Sequence, residues 1–346
     1  MIHSRIKRVL VLIISICLVF ASSSFVKADE DDYPDASNAS LAQTSMDLYI
    51  TDGFGVSGSV AILNAPDLYD YYFDYECSNP SLEFSCYLDV TTKVITFYVE
   101  GAGSGRVTFT LNNKQLYLDL RVSKVKINKT SLLVVKKKKA TLKIKGCSAK
   151  LKWVSTNKKV ASVSSKGVVK GKKIGNALIY TKLGNGYLGC AVSVISKKMN
   201  KIIKKAYSLK KGKYSQAKRM LKGYYDCSSL VWRSYKKGKV KLVNKYYAPV
   251  AADLAKYYVK KKKRIKGGYS KKNVAKMKLR PGDLFFCEGQ KNGRYRGIYH
   301  VEMFTGYRCL GITPDGKATI VARWATVPDD YYMKDNGLMV RPYKQK

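Results

Sequence analysis

"LKWVSTNKKVASVSSKGVVKGKKIGNALI", residues 151–179, is the stretch on which the fold turns. Its lysines alternate with apolar residues as the two faces of a strand do, and glycines punctuate it. The same β pattern fills residues 123–196 and already runs through the residues before them. From about Ser45 to Val122 come short runs such as "SGSVAIL", "KVITFYVE", "RVTFTL" and "QLYLDLRV", with Gly and Asn turns between. "RVTFTL" and "QLYLDL" flank Asn112-Asn113-Lys114, a hairpin signal. Short strands at this spacing predict a β-sandwich. The glycine-rich "GAGSGR" is not read as a phosphate loop, because no helix follows it.

After Ser196 the pattern turns helical. "KKMNKIIKKAYSL" predicts a basic amphipathic helix with Met199, Ile202, Ile203 and Tyr207 on one face. Helices are expected over 227–237 and about 249–260, and strands around 283–287, 297–306 and 317–327. Helices first and antiparallel strands after make an α+β domain. The fold class expected is therefore multidomain: two β-sandwich modules (43–122 and 123–196) followed by an α+β domain (197–346).

The amino terminus reads differently. Arg5, Lys7 and Arg8 precede an apolar core from Val9 to Phe20, and Val26-Lys27-Ala28 supplies a small-residue cleavage site. Residues 1–28 are thus expected to be a secretory signal peptide, with a core shorter than the ~20 residues of a spanning helix. The mature protein is expected outside the cell or in its wall, with no stable membrane span. Residues 29–42, acidic and small, are expected to form a flexible leader.

Charge divides the chain. Residues 29–122 hold fifteen acidic and four basic side chains; residues 123–346 hold nine acidic and fifty-seven basic ones, and the whole chain carries +41. Between Asp119 and Asp226 no acidic residue occurs. Such a field draws polyanions in a salt-sensitive way. For an exported chain, wall polymers or anionic lipid are the expected polyanions rather than nucleic acid. The run "KKKKRIKGGYSKKN" (260–273) is expected to be a solvated loop. Eight cysteines are present, and loss of Cys17 with the signal peptide leaves seven. An odd count outside the cell leaves at least one thiol unpaired or bridged to another chain. Cys77 with Cys86, Cys147 with Cys190, and Cys287 with Cys309 are plausible pairs, which would leave Cys227 over.

Cys227 lies in "YYDCSSLVWRSY", residues 224–235. Asp226 is a strong N-cap residue, so Cys227 falls in the first turn of a helix. There the helix dipole draws a thiol below its free value of ~8.5, toward the nucleophilic thiolate. A thiolate also needs a group that returns a proton to the leaving amine. His3 leaves with the signal peptide, and His300 is then the only imidazole. It lies in "GIYHVEMFTGY", whose alternation puts Ile298, His300, Glu302 and Phe304 on one strand face. No recognised metal-ligand spacing is present: His300-Val301-Glu302 has no P-C-x-x-C after it, and Cys227, Cys287, Cys309 and His300 do not match a zinc site.

Two resemblances sharpen this reading. "INKTSLLVVKKKKATLKI", residues 151–179 and the closing "CAVSV" resemble the bacterial immunoglobulin-like domain of surface proteins. That resemblance implies a seven-stranded sandwich with Trp153, Val160, Val163 and Val168 inside, serving as a spacer or adhesive unit. The C-terminal domain resembles the NlpC-type cysteine peptidases, papain-like enzymes that cut peptidoglycan stem peptides. "YYDCSSLVW" is similar to their nucleophile motif, with Ser229 in place of the usual glycine. "LRPGDLFFCEG" is similar to their strand-opening segment, "YHVEMFTGY" to their histidine strand, and "GKYSQ" to their tyrosine approach.

The resemblance implies Cys227 as nucleophile, His300 as general base and then acid, and Tyr214 as oxyanion support. Asp226 and Ser228 would bind the free amine of a stem peptide, and no cofactor is implied. The family's third residue has no clear counterpart. Arg323, near its expected place, can only donate, and Glu302 lies almost ~7 Å along the strand from His300. An adhesive protein that has lost catalysis is the alternative.

Overall fold

The computed structural model describes residues 33–51, 53–68, 71–184, 186–329 and 337–346. The expected signal peptide, with Cys17 and His3, lies outside the described residues. Among the described residues no helix is long and apolar enough to cross a membrane.

The first module is a sandwich of two four-stranded sheets. One sheet carries Ser40–Leu41, Val56–Leu63, Val94–Val99 and Phe84–Asp89 in that order; the other carries Ser45–Ile50, Lys114–Lys124, Gly103–Leu111 and Phe73–Cys77. Alternate residues such as Val60, Ile95, Phe97, Phe109 and Leu118 fill the space between. The predicted hairpin closes with Leu111 opposite Lys114, and Asn112 takes the left-handed conformation (φ 50°) that asparagine tolerates. The acidic segment 29–42 is not a flexible leader over its described part. Ala36, Ala39 and Leu41 are buried in the module core, and the amides of Asn112 and Asn113 hold Pro34 O, Asp35 and Ala36 N. Small apolar residues spaced among the acids were enough to anchor it.

The second module places seven strands in sheets of four and three, with a two-stranded ladder (126–127 with 144–145) beside them. Val160 is buried, and Trp153 and Val163 pack at the core's rim. Val168 is displaced outward by one position, and Val169 is the buried residue. Gly167, just before this strand, has a positive φ (74°), and a Cβ there would run into Leu142 O. Both modules share one feature: an early strand pairs parallel with the closing one, Ser45–Ile50 with Lys114–Lys124 and Ser131–Val135 with Gly186–Ile195.

The C-terminal domain opens with the helix Lys197–Leu209, capped by Ser196 Oγ on Met199 N at 3.2 Å. Met199, Ile202, Ile203, Ala206 and Leu209 are buried against the helix Cys227–Lys237, while Tyr207 sits half-buried with its hydroxyl donating to Thr305 Oγ1. Four antiparallel strands follow in the order Ala318–Trp324, Ile298–Ile312, Leu284–Glu288, Met339–Val340. The Pro281-Gly282-Asp283 turn locks helices to sheet. Gly282 (φ 96°) leaves no room for a Cβ against Met199, Tyr235 donates to its carbonyl, and buried Asp283 takes two 2.7 Å bonds from Arg341. The basic run 260–273 is pinned rather than freely solvated. Ile265 N bonds Met339 O, and the Tyr269 ring packs on Phe285 and Trp324.

One face of this sheet is covered by the helices. The other is covered by the second module: Leu178 and Ala191 share a core with Phe285, Phe304, Tyr307 and Trp324. Asn176 Nδ2 donates to Met277 O and Leu279 O, both at 2.7 Å, and Ser193 Oγ fixes the other end of that amide at 2.8 Å. The module expected to be a spacer is thus a layer of the C-terminal domain. Among the described residues all seven cysteines are free, so none of the expected pairs forms. Cys287 lies opposite His300 while Cys309 is nine residues further along the same strand, roughly 30 Å away at strand spacing.

Candidate active site

Cys227 is the first residue of its helix, and Asp226 is the cap. Asp226 Oδ1 accepts from Ser229 N at 2.6 Å, and Ser229 Oγ accepts from Asp226 N at 2.9 Å, a reciprocal capping box. This makes Ser229 a cap partner, a role glycine could not fill. The thiol is buried at 8 % exposure, facing His300 from the strand Ile298–Ile312. That strand does not alternate evenly. The ladder passes from Cys287–His300 to Glu288–Ile298 and skips Tyr299, so Ile298 joins Val301 in the helix-side core rather than sharing the face of His300.

The thiol and the imidazole pull each other's protonation apart. Burial pushes the Cys227 thiol up, but the His300 hydrogen bond, its charge and the Val301 backbone N–H outweigh this and hold it below its ordinary value of 9.0. Burial works against a charged His300, yet its bonds with Cys227 and Glu302 raise it to about 9. Each shift favours the charged form, biasing the pair toward thiolate and imidazolium. Tyr214 completes the cluster from the short strand Lys213–Tyr214, which pairs parallel with Tyr224–Tyr225. Its hydroxyl meets both the sulfur and the backbone N–H of Cys227. Burial first, then the neighbouring thiolate, push it up to about 12.

Glu302 Oε2 lies 3.7 Å from His300 Nε2, within ion-pair reach. The carboxylate is 1 % exposed and cannot wander. Oε1 accepts from the backbone N–H of Met303, Ala325 and Thr326 at 2.9–3.1 Å, and Oε2 accepts from the Thr326 hydroxyl. The expectation that strand spacing keeps Glu302 from His300 is corrected. Some ~7 Å separates the Cα atoms, but both side chains lean into that gap. Arg323 turns away to Asp329 and Ser131.

Residues 207–322 match the family model of NlpC/P60. This part of the chain is an NlpC/P60 domain. Before it, residues 121–187 match the bacterial Ig-like domain (group 2). No curated protein matches the chain. Among solved structures, a C-terminal fragment of intimin in complex with the intimin-binding domain of its translocated receptor is 15 % identical. It covers 65 % of this chain and 90 % of that one, with a TM-score of 0.32. Domains 1–6 of the surface layer protein SbsC are 20 % identical, covering 40 % of this chain and 22 % of that one at a TM-score of 0.18. An I-band fragment of titin is 14 % identical, covering 45 % and 64 % at 0.26. Likenesses this loose say nothing of function.

The NlpC/P60 domain gathers Tyr214, Asp226, Cys227 and His300 at one place. It gives Asp226 and Ser228 a setting that the sequence did not announce. Asp226 is 4 % and Ser228 2 % exposed. Asp226 Oδ1 is shared by Ser229 N and Ser228 Oγ, while Oδ2 faces Arg219 Nη1 at 3.2 Å. Arg219 in turn donates from Nη2 to Ala248 O at 2.7 Å and Pro249 O at 3.1 Å. The sequence set Glu302 aside on strand spacing and gave no sign of Arg219. The first was visible as a carboxylate on the histidine's strand. The second carried no signal beyond being one cation among many.

Proposed function

We propose that the NlpC/P60 domain is a cysteine peptidase of the cell wall that hydrolyses amide bonds in peptidoglycan stem peptides, acting after export. The observation that carries this reading is the unbroken line from Cys227 through His300 to Glu302. In it a buried carboxylate faces the imidazole that faces the thiol.

The Cys227 thiolate attacks the scissile carbonyl carbon and forms a C–S bond, and the oxygen becomes an oxyanion. Tyr214 Oη, placed at both the sulfur and the N–H of Cys227, is positioned to donate to it. The oxyanion collapses, the C–N bond breaks, and His300 gives its proton to the departing amine. A thioester and a neutral imidazole remain. Water then attacks the thioester while His300 takes its proton, and release of the carboxylic acid restores thiolate and imidazolium. Glu302 touches no substrate; it positions His300 and favours its charged form.

The inactive, adhesive alternative drew its support from the lack of an acceptor for His300, and Glu302 removes that support. Wild-type chain, Cys227→Ala and His300→Ala incubated with purified walls test the proposal by the appearance of new amino termini. Release by wild type alone is expected. A wild type that frees nothing from any wall, and whose Cys227 reacts with iodoacetamide no faster than free cysteine, would sink it.

A further inference from the structure

Arg219 changes what the carboxylate beside the nucleophile can recognise. A carboxylate binds an ammonium when its charge is uncompensated and an oxygen is open. Asp226 meets neither condition, since one oxygen is spent on the helix cap and the other faces the Arg219 guanidinium in a nearly closed site. Arg219 is itself held by two backbone carbonyls of the loop before the helix Ala251–Lys260, so the pair is fixed rather than exchanging with solvent. The approach repeats the same sign. Lys213, Lys218 and Lys222 stand exposed in the segment leading to Cys227, with no acidic residue among them. An ammonium arriving here meets cations and a neutralised acid.

Resting on the peptidase reading, we infer that Arg219 sets specificity on the acyl side of the scissile bond. The site takes wall peptides whose amino group there is acylated, as within a longer peptide or a stem still joined through its amine, and it does not require a free amino terminus.

The test compares one wall-derived stem peptide with its amino terminus free or acetylated. In the wild-type chain kcat/KM for the acetylated form is expected to equal or exceed that for the free form. Arg219→Gln leaves the Asp226 charge uncompensated and should move the ratio at least tenfold toward the free amine. Arg219→Lys, which keeps the charge, should not. A merely structural Arg219 would lower both rates together and leave the ratio unmoved, and that result overturns the inference. So does a tenfold wild-type preference for the free amine. If neither peptide is cut, the hydrolase reading fails separately, and calorimetric binding of the same two peptides to Cys227→Ser decides the matter. Equal or tighter binding of the acetylated form sustains the inference, and tenfold tighter binding of the free amine overturns it.

Discussion

Glu302 controls the protonation of His300 and therefore the pH range of the reaction. The thiolate–imidazolium pair exists above the lowered Cys227 value and below the His300 value of about 9. Activity is expected to decline on the alkaline side near pH 9, as the imidazolium that must protonate the leaving amine is lost. Glu302→Gln removes the neighbouring negative charge, so the imidazolium becomes less favourable and this limb should move to lower pH. The kcat should drop by about 10²-fold, the lower end of what a positioned acid–base group contributes. A kcat–pH profile of the two proteins checks both. Iodoacetamide offers an independent readout, for Cys227 should alkylate at a pH where an ordinary thiol is protonated, and His300→Ala should remove that reactivity. At this scale the sequence was informative about identity and silent about contact. Cys227, His300 and Tyr214 were each legible from local motifs. The Glu302–His300 approach depends on side-chain lean, and the Arg219–Asp226 pair on a loop closing over seven residues, neither of which periodicity records.

The Cys227 helix and the sheet below it owe their mutual position to one small turn, Pro281-Gly282-Asp283. Gly282→Ala would force a side chain into a left-handed backbone and onto Met199, with a Cβ contact of 2.3 Å. A loss of about 1–3 kcal/mol from the backbone alone is expected, seen as a lowered denaturant midpoint with unchanged slope. Asp283→Ala would leave the Arg341 guanidinium, a third exposed, without its carboxylate partner, at a cost of about 1–3 kcal/mol. Element boundaries followed the sequence closely where a cap or turn residue marked them, as at Ser196, Asp226 and Asn112. They departed where one residue shifted the phase. After Gly167 it is Val169 rather than Val168 that enters the core, and the bulge at Tyr299 took Ile298 off the histidine's face.

For the whole molecule, the two sandwich modules and the α+β domain were legible as classes because strand and helix periods differ so plainly across Lys197. Their docking was not, since an outward sheet face that meets another domain looks like any strand with both faces apolar. Leu178 and Ala191 are such residues. A chain beginning at Lys197 would expose Phe285, Phe304 and Tyr307, and it is expected to aggregate or bind a hydrophobic dye, whereas one beginning at Val125 should melt in a single transition. Asn176→Ala would strip two carbonyls of their shared donor and cost about 2–3 kcal/mol of that docking. The parallel pairing of an early strand with the closing one in each module has a mechanical meaning as well. Tension applied along the chain pulls these two strands past each other lengthwise, so a ladder of six residue pairs in the first module and five in the second bears the load together rather than opening one rung at a time. Stretched between two fixed points, each module would resist as a clamp and then yield abruptly.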